Sequence, residues 1–291
     1  MSAKHPIISI TGSSGAGTTS VRQTFENIFR REHITAAFIE GDAFHRYGRA
    51  EMEQMTVESH LRGNNHFSHF GEEANLLAEL EEVFRSYGES GRGRTRHYVH
   101  DEHEAERHGA PAGTFTAWQD LPRGTDLLFY EGLHGAVVTP KVNVATHADL
   151  KIGVVPVINL EWIQKLIRDK SARGYSHDDA VDAILTRMPD YVNFICPQFT
   201  ETDINFQRVP TVDTSNPFVA RWIPTPDESM VIIRFRDPRG IDFPYLLSMI
   251  PTSFMSRANS IVIPGGKLDL AMQLILTPHI LTLVERRRRT S

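Results

Sequence analysis

The chain has 291 residues, is 40% hydrophobic and carries a formal net charge of −5, so it is long enough to bury a sizeable core and does not read as disordered. The acidic balance excludes a global positive field for nucleic acid or an anionic membrane surface, and leaves any phosphate recognition to local groups. A single cysteine, Cys196, excludes an intrachain disulfide, a thiol switch within one chain and a multi-cysteine metal knot, and suits a reducing cytoplasm.

The opening run Pro6 to Thr11 is short, apolar and β-branched, and stops at Gly12, as a buried strand feeding a tight turn does. Beyond Thr18, the residues Val21, Phe25, Ile28 and Phe29 recur at helical spacing. Further strands are predicted at Ala36 to Glu40, Asp126 to Glu131, Lys151 to Val157, Val209 to Asp213, Met230 to Phe235 and Ser260 to Ile263. Helical runs are predicted at Glu72 to Tyr87, Leu160 to Ala172, Asp178 to Met188 and Leu268 to Leu276. This alternation points to an α/β fold with a largely parallel sheet flanked by helices, in one domain over 1–291. Gly88 to Gly113 is rich in Gly, Arg and His and reads as loops around one short strand, Thr95 to Val99. No stretch approaches eighteen consecutive apolar residues and Met1 to Ile10 lacks the layout of a secretory signal, so the expectation is a soluble, cytoplasmic protein without a membrane partner.

Gly12-Ser13-Ser14-Gly15-Ala16-Gly17-Thr18-Thr19 keeps the G-x-x-x-x-G frame of a phosphate-binding loop between a strand and a helix. Its glycines let backbone N–H groups turn toward phosphates, and the helix N-terminus adds partial positive charge. Thr19 occupies the hydroxyl position for Mg²⁺, and Ser20 follows it in the ATP site. The lysine of the motif is replaced by Thr18, so either the site is dead or another residue supplies the cation.

Asp42 closes the second strand at the rim where open α/β sheets bind ligands, and is placed to accept a proton from a substrate hydroxyl, or else to serve as an ordinary helix cap. Glu131 ends an apolar strand before Gly132, the layout of a carboxylate that serves Mg²⁺. Lys165, Arg168 and Asp169 share a helix face, followed by Arg173. Such faces are commonly just solvated surface. Here a kinase short of its lysine needs a cation, and Lys165 or Arg168 on a closing lid, around 160–175, meets that need.

Together with Glu40-Gly-Asp-Ala-Phe-His45, Phe129-Tyr-Glu-Gly-Leu-His-Gly135, Lys165-Leu-Ile-Arg-Asp169 and Arg173-Gly174, the glycine loop resembles phosphoribulokinase in its proteobacterial form. The likeness continues through Thr202 to Pro210, Asp213 to Pro217 and Pro238 to Pro244. The resemblance implies a nucleoside-monophosphate-kinase-like P-loop NTPase fold. It also implies transfer of the γ-phosphoryl of Mg-ATP to the 1-hydroxyl of ribulose 5-phosphate in the Calvin cycle, with Thr18 in place of the lysine as a trait of this branch. Carried over residue by residue, it makes Asp42 the base, Asp169 a second essential acid near Mg²⁺, Glu131 the strand-end carboxylate and Lys165 and Arg168 the active-site cations. It assigns His45, Arg49, His100 and Arg173 to the sugar phosphate, with Tyr98 beside them; the arginines suit a doubly charged phosphate. It further implies NADH activation, AMP inhibition, a homo-oligomer, and an effector role for Arg31, Arg234 and Arg257, which otherwise read as surface arginines.

Two rival readings are a uridine or pantothenate kinase, which normally retains the Walker lysine, and a silent nucleotide-sensing regulator. The His66-x-x-His69 and His97-x-x-His100-x-x-His103 spacings have no Cys or H-E-x-x-H support for zinc among 14 histidines. Arg286 to Arg289 reads as a solvated helix end.

Overall fold

The computed structural model describes residues 4–13, 18–155, 157–173 and 176–290, except the side chains of 18–20, 168–173 and 290. The strands are β1 (Ile7–Thr11), β2 (Ala36–Glu40), β3 (Arg94–Thr95), β4 (Gln119–Asp120), β5 (Leu127–Gly132), β6 (Leu150–Val155), β7 (Ile204–Pro210), β8 (Ser229–Phe235), β9 (Phe254–Arg257) and β10 (Ser260–Pro264). The helices are α1 (Thr18–Arg31), α2 (Arg49–Leu61), α3 (Leu77–Ser90), α4 (Glu102–His108), α5 (Ile158–Arg173), α6 (His177–Asp190), α7 (Gln198–Glu201), α8 (Phe243–Met249) and α9 (Leu268–Thr290).

Eight strands form one sheet in the order β2-β5-β1-β6-β7-β8-β10-β9. The first five run parallel, and β8, β10 and β9 extend the sheet antiparallel. All five residues of β1 are buried, which is why its run is continuously apolar rather than alternating. On one face α1 and α9 pack Phe25, Phe29, Ile275 and Ile280 against Ile10, Phe129, Ile152 and Ile233. On the other, α3 packs Leu80, Phe84 and Tyr87 against Ile7, Leu128 and Tyr130. The rings of Phe25 and Phe29 sit 4.9 and 5.6 Å from that of Phe129, and each such pair adds about 0.5–1.5 kcal/mol beyond the area it buries.

Several expected elements differ. The strand expected over Val209 to Asp213 is the tail of β7, which ends at Pro210. The helix expected from Glu72 begins at Leu77, after a single 3-10 turn over Glu72–Ala74. In the Gly88 to Gly113 region the short strand is only Arg94–Thr95, Tyr98 forms one isolated bridge to Phe115, and α4 was not foreseen. Helix α2 was missed because Ser59 is its one buried residue, so it shows no apolar stripe. Helix α9 runs to Thr290 and is long and apolar enough to cross a membrane by length and composition. Its Ala271, Met272, Leu276, Ile280 and Val284 are buried in the sheet core, so the apolar character serves packing. The terminal arginines are not simply solvated: Arg286 pairs with Asp149 at 2.8 Å and Arg288 with Asp126 at 3.1 Å, tying α9 to the lower rim of the sheet.

Candidate active site

The site lies at the carboxyl ends of β1, β2 and β5, where the strand order reverses around β1. The register aligns Glu40 of β2 with Glu131 of β5, and Ile10 of β1 with Glu131 on its other side. Beyond them the chain crosses itself closely. A Cβ on Gly41 would stand 2.8 Å from the Gly132 Cα and 2.6 Å from the Tyr130 hydroxyl, so both glycines are required by the approach of two backbones. Gly12 N–H donates to the Gly132 carbonyl at 3.2 Å, and the Thr11 hydroxyl donates to Leu133 O and Gln198 Oε1. Gln198, 1% exposed, also accepts from Ala136 N–H and donates to Leu133 O and Phe194 O, which ties the ends of β1 and β5 to α7.

Ser14, Gly15, Ala16 and Gly17 lie outside the described residues, as do the side chains of Thr18, Thr19 and Ser20. Ser13 is 1% exposed and its hydroxyl has no partner among the described residues, a donor available where the loop meets an anion.

Asp42 sits in a 3-10 turn, Gly41–Phe44, directly after β2. Its Oδ1 lies 3.1 Å from His45 Nε2 and its Oδ2 3.5 Å from His100 Nε2. Burial pushes the Asp42 carboxyl up, but the His45 hydrogen bond and the charges of His45, His100 and His69 overcome it and hold the group at about 2. Burial likewise lowers His45, and the bond to Asp42 outweighs it, so the imidazole is raised above its ordinary value. His69 and His134 go the other way, lowered by burial to about 3 and about 4. Of these three buried rings His45 is therefore the one whose surroundings favour the charged form.

The backbone of this turn is clamped. Arg96 donates to the carbonyls of Ala43 at 2.8 Å and His45 at 2.7 Å, while its guanidinium lies 3.6 Å from the Phe115 ring centroid and 4.8 Å from that of Trp118. Arg46 grips Glu73 O and Asn75 O. Arg49 donates to the His100 carbonyl at 2.7 Å, and Tyr98 packs edge-on against His100 at 4.9 Å and His45 at 6.5 Å. His45, Arg49, Tyr98 and His100 thus meet around Asp42. Sequence reading missed Arg96, Asn75 and Gln198, since an arginine and an asparagine in unpatterned loops and a glutamine opening a four-residue helix give no local signal.

Glu131 projects on the face from which α1 leaves the phosphate loop, beside Glu40, whose carboxylate is paired with Arg22 of α1. Mg²⁺ in nucleotide sites takes one or two carboxylates with phosphate and water oxygens, and this strand-end acid fits that donor set. Lys165 lies half-buried on α5. The side chains of Arg168, Asp169 and Arg173, on the same helix, lie outside the described residues. Arg31 bonds Gln273 and Thr277 of α9. Arg234 is exposed on β8 between buried Ile233 and Phe235, and both Arg234 and Arg257 register with Ser260. Arg234 therefore faces away from the α1–α9 layer that holds Arg31, and the three arginines do not converge within one chain.

Residues 7–215 match the model of the phosphoribulokinase / uridine kinase family. The chain is 76% identical over 289 residues to phosphoribulokinase of Nitrobacter vulgaris, covering 99% of this chain and 100% of that one. It is 66% identical over 291 residues to the chromosomal phosphoribulokinase of Cupriavidus necator, covering all of both. The solved phosphoribulokinase from Rhodobacter spheroides superposes with a TM-score of 0.91 at 62% identity, over 98% of this chain and 99% of the other. The chain belongs to the phosphoribulokinase / uridine kinase family of P-loop kinases. Within it the chain stands with the phosphoribulokinases, ATP-dependent phosphotransferases with an alcohol acceptor.

Proposed function

We propose that the chain phosphorylates the 1-hydroxyl of D-ribulose 5-phosphate with the γ-phosphoryl of Mg-ATP, giving ribulose 1,5-bisphosphate and ADP for carbon dioxide fixation, and that Asp42 is its base. The observation that carries the residue assignment is the Asp42 carboxylate held between His45 and His100 at the rim adjoining the phosphate-loop strand. One oxygen is committed to His45, leaving Oδ2, on the His100 side, to accept the substrate hydroxyl. A carboxylate near 2 stays ionised through the working range. Its low basicity suits late proton transfer in a loose phosphoryl-transfer transition state, where orientation of the nucleophile matters more than early deprotonation.

The remaining roles follow the charge each step needs. Lys165 and Arg168 supply the cations that Thr18 lacks, and Asp169 is the second essential acid. Arg49 and Arg173 hold the 5-phosphate while His45, His100 and Tyr98 orient the sugar. Gly12 to Ser20 cradle ATP. Thr19, Glu131 and Asp169 would hold Mg²⁺, which would supply positive charge to the transferring phosphoryl group. The segment around 160–175 serves as a lid within a single domain, excluding water from the transfer. NADH as activator, AMP as inhibitor, a homo-oligomer and a cytoplasmic setting complete the proposal. The separation of Arg31 from Arg234 and Arg257 within one chain supports an effector site that spans subunits. The test is Mg-ATP-dependent ADP release with ribulose 5-phosphate, uridine, pantothenate or no acceptor, each with and without NADH. Turnover with ribulose 5-phosphate alone, raised by NADH, is expected; another acceptor would overturn the substrate, and no turnover the enzyme.

A further inference from the structure

The geometry points to Asn75 as a positioning residue that holds His45 as a doubly protonated imidazolium against Asp42. Asn75 is 2% exposed, and its residue bridges His45 in antiparallel fashion. Its side-chain nitrogen donates to Gly71 O at 2.6 Å and His69 O at 2.8 Å, and its Oδ1 lies 2.9 Å from His45 Nδ1. Two carbonyl oxygens beside one amide nitrogen fix the orientation of the amide, since a flip would set Oδ1 against both and forfeit both bonds. Oδ1 therefore faces His45, and Nδ1 must carry a proton to bond it. The other ring nitrogen, Nε2, lies 3.1 Å from Asp42 Oδ1, and a carboxylate is acceptor-only. A neutral ring with its proton on Nδ1 would point a lone pair at that carboxylate, so both nitrogens are protonated.

The groups facing His45 are compatible with this charge. His69 packs against its ring at 4.3 Å, tilted by 37°, and His134 is buried nearby; both are held neutral. Arg96 opposes the charge but spends its donors on the Ala43 and His45 carbonyls. Tyr98 presents an edge, and His100 reaches Asp42 from the far side. The consequence is that the position of the base depends on a proton held by Asn75, buried just after the Glu72–Ala74 turn.

This rests on Asp42 being the base, and the two ideas fail separately. Asp42→Asn with full turnover would refute the base, whereas the proton count on His45 is readable whatever Asp42 does. Neutron diffraction of the native enzyme near pH 7 is expected to show protons on both His45 nitrogens; one proton overturns the proposal. In the pH profile of kcat/KM for ribulose 5-phosphate, loss of the imidazolium sets the alkaline limb. Asn75→Ala is expected to move that limb down by about one pH unit, the effect of one hydrogen bond to a charged group. Asn75→Asp, which restores an acceptor and adds negative charge, is expected to move it up. A merely structural asparagine would lower stability in both variants and leave both limbs in place, and that result overturns the assignment.

Discussion

The two regions that the proposed function assigns to the reaction, the Asp42 turn and the α5–α6 pair, are built differently. The Asp42 turn is fastened to the sheet: Phe44 is buried in the α3 core, Arg96 and Asn75 hold the chain on either side, and Leu76 N–H donates to Phe44 O at 2.7 Å. The α5–α6 pair has a small core of its own, Leu166, Ala180 and Ile184 with Trp162, Val181 and Phe218 packed on it, separate from both sheet cores. Asp42 thus stands on a turn fastened to the sheet, whereas the proposed cation Lys165 stands on α5, whose buried Leu166 belongs to the separate small core. One short link, Tyr191 OH to Glu161 at 3.2 Å, joins the base of α5 to the π-helical turn Tyr191–Ile195 that follows α6.

The comparison can be broken most directly at the base. Asp42→Asn is expected to lower kcat by about 10²–10⁴ with a much smaller change in KM, the range for a positioned general base; a rate near wild type would move the role to Asp169. On the lid side, Lys165→Met is expected to cost about 10²–10³ in kcat, the scale of one preorganised charge at a transferring group. An unchanged rate there would show that another cation serves in place of the Walker lysine.

Leu166→Ala sharpens the contrast in packing. Removing one of three buried residues from the lid core is expected to cost about 2 kcal/mol locally and to speed amide exchange across α5–α6 by about 30-fold, leaving the amides of Asp42–His45 unchanged. Equal acceleration in both regions would mean that they open as one unit. Arg49→Ala is expected to raise KM for the sugar phosphate about tenfold, with KM for ATP little altered. Equal changes in both constants would remove Arg49 from the sugar-phosphate side.

The smallest effect is on stability at low pH. Asp42 is held at about 2 in the folded chain against 3.8 for the free group, so ionised Asp42 favours the folded state above about pH 4, and that contribution is lost as pH falls toward 2. Asp42→Asn should flatten the unfolding midpoint between those values; a slope as steep as wild type would show that other carboxylates set it.

Much of the site was legible because its chemistry is written in short segments at strand ends. The Gly12 to Thr19 frame, Asp42 after β2 and Glu131 before Gly132 each lie where a strand stops, and a strand's apolar run announces its own end. The reading failed where local pattern and tertiary role separate. Helix α2 leaves Val57 and Leu61 exposed and buries only Ser59, α4 buries none of its residues, and the C-terminal arginines gave no sign of the distant Asp126 and Asp149 that they meet. The sequence alone determined strands β1, β2, β5, β6, β8 and β10, the phosphate-loop frame without its lysine and the acids at the strand ends, since these follow from apolar period, glycine placement and charge within a few residues. Tertiary structure alone decided that Arg96, Asn75 and Gln198 converge on that rim from 53, 30 and 187 residues away in the chain from Ala43, His45 and Thr11. It also decided the protonation of His45, because a proton's place depends on which acceptors the fold brings to both edges of the ring.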